Sequence, residues 1–275
     1  MELYTKVAYA NSRQLTLSYS TSFGLSSRLF GKDIQKHIYA IYGLVRIADE
    51  IVDTYKGTDS SRLLDNLEND TYEAMKSRYS TNPIIHAFAL TARQYDITQE
   101  LIKPFFDSMR MDLHPQNYTD KNYEKYIYGS AEVVGLMCLK VFCDDNDQYD
   151  KLKIGASALG SAYQKVNFLR DLSEDYRILG RLYFPAVTFE DFNDKAKHRI
   201  VKDIKKDFAT ALPALQALPE SSRKATMMSY VYYSKLLEKL EQTPAEIIKT
   251  TRIRLPSHRK LLLLAQTVAS RGRTS

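Results

Sequence analysis

Two segments of this chain are apolar over most of a helical circumference, yet each carries two aspartates four residues apart. In YGLVRIADEIVD, residues 42–53, Tyr42, Arg46, Asp49 and Asp53 share one side, while Leu44, Val45, Ile47, Ala48, Ile51 and Val52 cover the rest. In YQKVNFLRDLSED, residues 163–175, a turn of about 100° per residue gathers Gln164, Asn167, Asp171 and Asp175 within about 80° of one face. A helix that is apolar almost all round is buried. Carboxylates stacked at this spacing lie about 6 Å apart; inside a protein they repel and take up protons unless a cation lies between them. Both helices therefore face one interior cavity that holds a cation, or else a buried salt-bridge network.

A third pair, Asp203 and Asp207, sits in VKDIKKDF with three lysines close by. Surface ion pairing accounts for it.

The remaining sequence is helical as well. Asn82 before Pro83 predicts a capped helix start, and Thr243 with Glu246 reads as a capping box around Pro244. Apolar residues recur at helical spacing in DITQELIKPFFDSMRMDL and YEKYIYGSAEVVGLMCLKVF, and no stretch alternates with period two. Ten Gly and eight Pro in 275 residues are too few for a turn-dense β architecture. Breaks fall near 56–60, 112–120, 144–150 and 179–184, without a linker, so an all-α single domain over residues 1–275 with roughly ten helices is expected.

The net charge of +6 favours anionic partners, among which charge alone does not choose. Cys138 and Cys143 are five apart, a spacing that suits neither a metal pair nor a redox motif, and they are expected to be free thiols in a reducing compartment. No signal-peptide pattern opens the chain and no apolar run approaches the ~20 residues of a membrane span, so a cytoplasmic protein is expected.

Aspartate oxygens are the hard ligands Mg²⁺ prefers, and that ion commonly completes its shell with water and substrate phosphate. Arg46 and Arg170 would then present planar forks to diphosphate oxygens. Gln164 and Asn167 could orient water or diphosphate without adding charge. The twenty Tyr and eleven Phe could line a cavity and stabilise a cation, although most such rings simply fill a core.

YGLVRIADEIVD and GSAYQKVNFLRDLSEDYRILGRLYFP resemble the two aspartate-rich signatures of the squalene/phytoene synthase family, and the likeness is greatest to its bacterial phytoene synthases. It extends to YSTSFGLSSRLF, FFDSMRMDL, YIYGSAEVVGLM and RIRLPSHRKLLLL, nearly the whole chain. The resemblance implies an isoprenoid-synthase-type helical bundle around a central cavity. It also implies head-to-head (1′–1) condensation of two geranylgeranyl diphosphates to phytoene, in carotenoid biosynthesis, through a cyclopropylcarbinyl diphosphate. By position, Asp49, Asp53, Asp171 and Asp175 carry over as ligands of Mg²⁺, with Mn²⁺ as the substitute, and of diphosphate. Arg46, Tyr126, Gln164, Asn167, Arg170, Ser22 and Phe23 carry over as substrate-binding residues. No NADPH and no nucleic acid are implied.

The chain departs from the family pattern in four places. Glu50 follows Asp49 where a second aspartate is common, and Glu132 stands after Ala131 where a glycine is common, which should bring an extra carboxylate near the cavity. Thr21 replaces a frequent lysine, and Tyr19 a histidine of the squalene-forming members. The rival enzyme is a squalene or dehydrosqualene synthase acting on farnesyl diphosphate; a more distant alternative is a non-catalytic assembly factor, in which the acidic pairs are typically degraded. The basic tail from Arg252 to Arg273 suits peripheral contact with an anionic membrane, or packing of its leucines on the body.

Overall fold

The computed structural model describes residues 2–55, 57–114, 118–185 and 187–256. Among the described residues all regular structure is helical: α1 (Glu2–Tyr19), α2 (Thr21–Ser26), α3 (Lys32–Asp49), α4 (Ser60–Ser77), α5 (Pro83–Gln94), α6 (Gln99–Asp112), α7 (Asp120–Ile127), α8 (Val133–Phe142), α9 (Asn146–Leu179), α10 (Asp194–Gln216), α11 (Glu220–Gln242) and α12 (Ala245–Ile248). None is long and apolar enough to cross a membrane.

Local signals set several boundaries. Asn82 accepts from the amides of Ile84 and Ile85, with Pro83 in the first turn of α5. The capping box expected at Thr243 and Glu246 does not form. The Thr243 hydroxyl donates back to the Lys239 carbonyl at 2.7 Å, while Asp194 accepts from the Ala245 amide at 3.0 Å. A side chain from α10 thus satisfies an amide of the first turn of α12.

At 34 residues, α9 is the spine; it is about 51 Å long at about 1.5 Å per residue. α8, α10 and α11 pack along it. Its C-terminus closes on Gly180 at φ 65°, a left-handed conformation that glycine adopts without a Cβ penalty. That turn lets the Arg181 amide donate to the Asp175 carbonyl at 3.0 Å and sends the chain back over the helix end.

Two apolar cores flank the spine. Ile38, Ile41, Leu44, Phe88, Phe105, Phe106 and Met137 belong to one, and Val166, Leu169, Phe192, Ile204, Leu236 and Leu240 to the other. A cavity of about 910 Å³ draws its lining from both.

Two helices change pitch beside this cavity. α3 runs into a π-helical turn at Glu50–Thr54, and a second, Tyr128–Glu132, joins α7 to α8. Such turns hold an extra residue, rotate whatever follows, and are frequent at functional sites. Asp53 is therefore not one regular α-turn beyond Asp49, as the spacing predicts. The wider turn instead brings it within 2.7 Å of Arg181.

Candidate active site

The two acidic segments meet at one end of the cavity. Arg46, Asp49 and Asp53 from α3 and its π turn, and Gln164, Asn167, Arg170, Asp171 and Asp175 from α9, all line it, as do Phe23 and Tyr126. Folding thus brings together every sequence-predicted site residue except Ser22, whose side chain lies outside the described residues, as does that of Thr21.

The acids outweigh the bases. Asp49 is pushed up to about 8, first by burial and then by Asp53, against the pull of Arg46. Burial, with Asp171 and Asp53 adding to it, pushes Asp175 up to about 7. The guanidinium of Arg46 pairs with Glu50, lies 3.9 Å from Asp49, and rests over the Tyr19 ring at 4.3 Å. Asp171 is held by its neighbour Arg170, Nε to Oδ1 at 2.8 Å, and by Arg252, also at 2.8 Å. Arg252 reaches Glu174 as well, at 2.9 Å. Asn167 accepts from the Tyr233 hydroxyl at 3.3 Å, and Tyr233 stacks on Tyr163 with centroids 4.0 Å apart.

Behind Asp53 lies a buried node. Arg181, 6% exposed, donates to Asp53 Oδ1 and to the Asp112 carbonyl, each at 2.7 Å, and sits 3.5 Å from the Asp112 carboxylate. Tyr126 donates to Asp112 Oδ2 at 2.8 Å. Burial still pushes Asp112 up to about 7, although Arg181 and Tyr126 oppose it. Deeper in, Tyr126, Phe168 and Tyr183 stack together, with Phe168 and Tyr183 only 4.0 Å apart. Phe23 stacks on Tyr42 at 5.2 Å. The cavity is acidic at its mouth, aromatic below that, and apolar throughout at its far end, where Leu139, Phe142, Leu152 and Leu218 line it.

Residues 17–259 match the squalene/phytoene synthase family. The chain belongs to that family. Its members are prenyltransferases acting on prenyl diphosphates, and this protein is one of them. It is 26% identical over 287 residues to phytoene synthase of Arthrospira platensis, covering 94% of this chain and 91% of that one. With 4,4'-diapophytoene synthase of Staphylococcus haemolyticus it shares 28% over 204 residues, covering 71% and 68%. Phytoene synthase 1 of Solanum lycopersicum is 29% identical over 85% of this chain, which spans 61% of that relative's length. Among solved structures, a dehydrosqualene synthase superposes with a TM-score of 0.82 at 21% identity, over 97% of both chains. Squalene synthase HpnC from Alicyclobacillus acidocaldarius superposes with a TM-score of 0.76 at 20% identity, over 87% of this chain and 95% of that one.

Two sequence expectations about the acids around α9 need correction. Glu132 does not line the cavity; it is turned toward Asp207 and Lys165 and hydrogen-bonds with Ser157. The Asp203/Asp207 pair is held by Lys165 of α9, at 2.6 and 2.9 Å, and not by the lysines beside it in sequence. Arg181, Asp112, Glu174 and Arg252 were not singled out as site residues by spacing. A signal existed for Arg181, the lone cation between Gly180 and the apolar LYFP.

The raised carboxyls make stability depend on pH in a defined direction. Between the ordinary aspartate value of 3.8 and the folded values of about 7 to 8, the folded chain holds protons that the unfolded chain has released. Rising pH therefore destabilises the folded protein across that window. Its melting temperature is expected to fall from about pH 5 to about pH 8. Differential scanning fluorimetry checks this; a melting temperature that holds or rises across that window would contradict it.

Proposed function

We propose that this protein condenses two molecules of geranylgeranyl diphosphate head to head to give phytoene. The observation that carries the chain-length assignment is the reach of the apolar cavity beyond its acidic mouth. Lining residues on α9 run from Asn167 down to Leu152, about 22 Å at the helical rise. A geranylgeranyl chain, sixteen carbons along its main run, extends to roughly 20 Å from C–C bonds of about 1.5 Å. The farnesyl chain, twelve carbons long, reaches only about 15 Å and would leave the far end empty. The near-complete span of the cyanobacterial phytoene synthase match supports the same reading.

The donor set suits Mg²⁺. Among the described residues no three acidic, histidine or cysteine side chains close on one point as a dedicated metal cage would. Two carboxylates per ion with diphosphate and water completing the shell is the usual Mg²⁺ arrangement, and an excess of buried acids asks for a cation. Asp49 and Asp53 would hold the ion on one side, Asp171 and Asp175 on the other; when bound, Mg²⁺ or Mn²⁺ supplies charge to the departing diphosphate. Arg46, Arg170 and Arg252 flank the same mouth and can take diphosphate oxygens as their carboxylate partners turn to the metal. The Tyr126, Phe168 and Tyr183 cluster lines the cavity next to the acids, where its aromatic rings would shield an allylic cation from water. Gln164 and Asn167 orient the head groups between acids and rings. No NADPH enters this reaction.

Incubation of the purified protein with Mg²⁺ and each prenyl diphosphate, without NADPH, is expected to give a C40 product from geranylgeranyl diphosphate. A C30 product from farnesyl diphosphate alone would overturn the assignment in favour of dehydrosqualene synthesis. The basic tail is proposed to rest on an anionic membrane, where a water-insoluble C40 product can leave; beyond Pro256 it lies outside the described residues. Co-sedimentation with anionic vesicles, weakened by salt, is the expected outcome, and no sedimentation at low salt would rule it out.

A further inference from the structure

Behind the acidic face of α9 lies a second charged cluster that the proposed chemistry does not use. Lys165 is only 9% exposed, and its ammonium lies 2.6 Å from Asp203 and 2.9 Å from Asp207, both on α10. Ser161, one turn earlier on α9, donates to the same Asp207 oxygen at 2.8 Å. Glu132, the last residue of the Tyr128–Glu132 π turn, faces this group. Burial and Asp207 push its carboxyl up, while Lys165 and a hydrogen bond with Ser157 pull it down. One lysine of α9 therefore pairs with both aspartates of α10 and acts electrostatically on Glu132.

Its place on the helix matters. Lys165 lies about 80° to 160° around α9 from the four residues of the substrate-facing stripe, so it holds the helix from the flank of that stripe. Close packing brings the walls together here: a Cβ on Gly160 would sit 2.6 Å from the Ala131 carbonyl oxygen. Contact between small residues sets how near two helices come, but it resists sliding and rotation weakly. A paired ammonium with directional bonds penalises both, because any slip leaves buried charge unpaired. The residues that would move with a slip are Gln164, Asn167, Asp171 and Asp175.

We propose that Lys165 is a positioning residue: its bonds to Asp203 and Asp207, with Glu132 alongside, lock the rotation and register of α9 and thereby place the diphosphate-facing residues on the adjoining face of that helix. This deepens the function proposed above and rests on it for the activity readout. Binding of Mg²⁺ with inorganic diphosphate, measured by calorimetry, does not depend on that reading. If the wild-type protein turns over no prenyl diphosphate, the functional reading fails while the binding readout still decides the role of Lys165.

The informative variant is Lys165→Met/Asp203→Asn/Asp207→Asn, which removes the paired charges together; Glu132 loses Lys165 but also loses the repulsion of Asp207. It is expected to keep the wild-type melting temperature within a few degrees while kcat falls about 100-fold, the loss that a shift of about 1 Å in reacting groups can produce. KM should change little, and Mg²⁺–diphosphate affinity should fall about tenfold. Lys165→Arg, which preserves the pairing, is expected to stay within a few-fold of wild type on both readouts. Wild-type kcat and diphosphate affinity in a stable triple variant would overturn the proposal and leave the cluster a stability element only. Should the triple variant not fold, Lys165→Met/Asp207→Asn decides the matter, since the exposed Asp203 stays hydrated: a loss of kcat at a melting temperature near that of wild type supports the role, and unchanged kcat refutes it.

Discussion

Asp171→Asn is expected to lower kcat by about 10³-fold or more while shifting the melting temperature by only a degree or two. The magnitude follows from removing one preorganised charge in a water-poor site, where a single such group is worth 10²–10³ in rate by electrostatics alone and more if metal is lost with it. The small effect on stability follows from its surroundings. Asn keeps the shape of the side chain, Arg252 retains Glu174 at 2.9 Å, and Asp175 loses a repelling neighbour that helps push its carboxyl up. Arg170 forfeits one partner, which offsets that relief. Steady-state kinetics and thermal melts on the same preparation test both halves. A variant within tenfold of wild-type kcat would remove Asp171 from the machinery; a drop of many degrees would make it part of a structural salt-bridge network instead.

Arg181→Met is expected to do the reverse, lowering stability first. The guanidinium is buried and is shared by Asp53, the Asp112 carboxylate, the Asp112 carbonyl and the Val52 carbonyl. Removing one partner of a buried charged pair costs about 3–5 kcal/mol because the other charge stays behind uncompensated. For a chain of this size that corresponds to a melting temperature lower by roughly 10 °C. Part of the penalty is relieved because Asp112 already sits at about 7 and can take up a proton, so the loss should be smaller at acid pH than at pH 8. Arg181→Lys should recover little, since one ammonium cannot reproduce the fork that spans two acids and two carbonyls. A melting temperature unchanged at pH 8 would refute the idea that this node ties Asp53 in place.

The contrast between the two variants separates what spacing can show from what it cannot. Asp171 and Asp175 were legible because an acidic pair on an otherwise apolar helix is a local contradiction, visible within 13 residues. The helical class and the Asn82 cap were legible for the same reason: periodicity and capping are properties of neighbouring residues. The lysine-rich surroundings of Asp203 and Asp207 were legible too, and misleading, because the cation that holds them comes from Lys165, 38 and 42 positions away.

By itself, then, the sequence determined an all-helical chain, two acidic faces that must look inward, and a family whose members join prenyl diphosphates. Tertiary structure decided which cation meets which acid. Arg181 reaches Asp53 across 128 positions and Arg252 reaches Asp171 across 81, and no periodic signal encodes pairings at that range. It also decided that Asp53 sits in a π turn and that Glu132 faces away from the cavity. Each depends on how far one helix slides or turns against another, which packing of the whole core settles and local propensity does not.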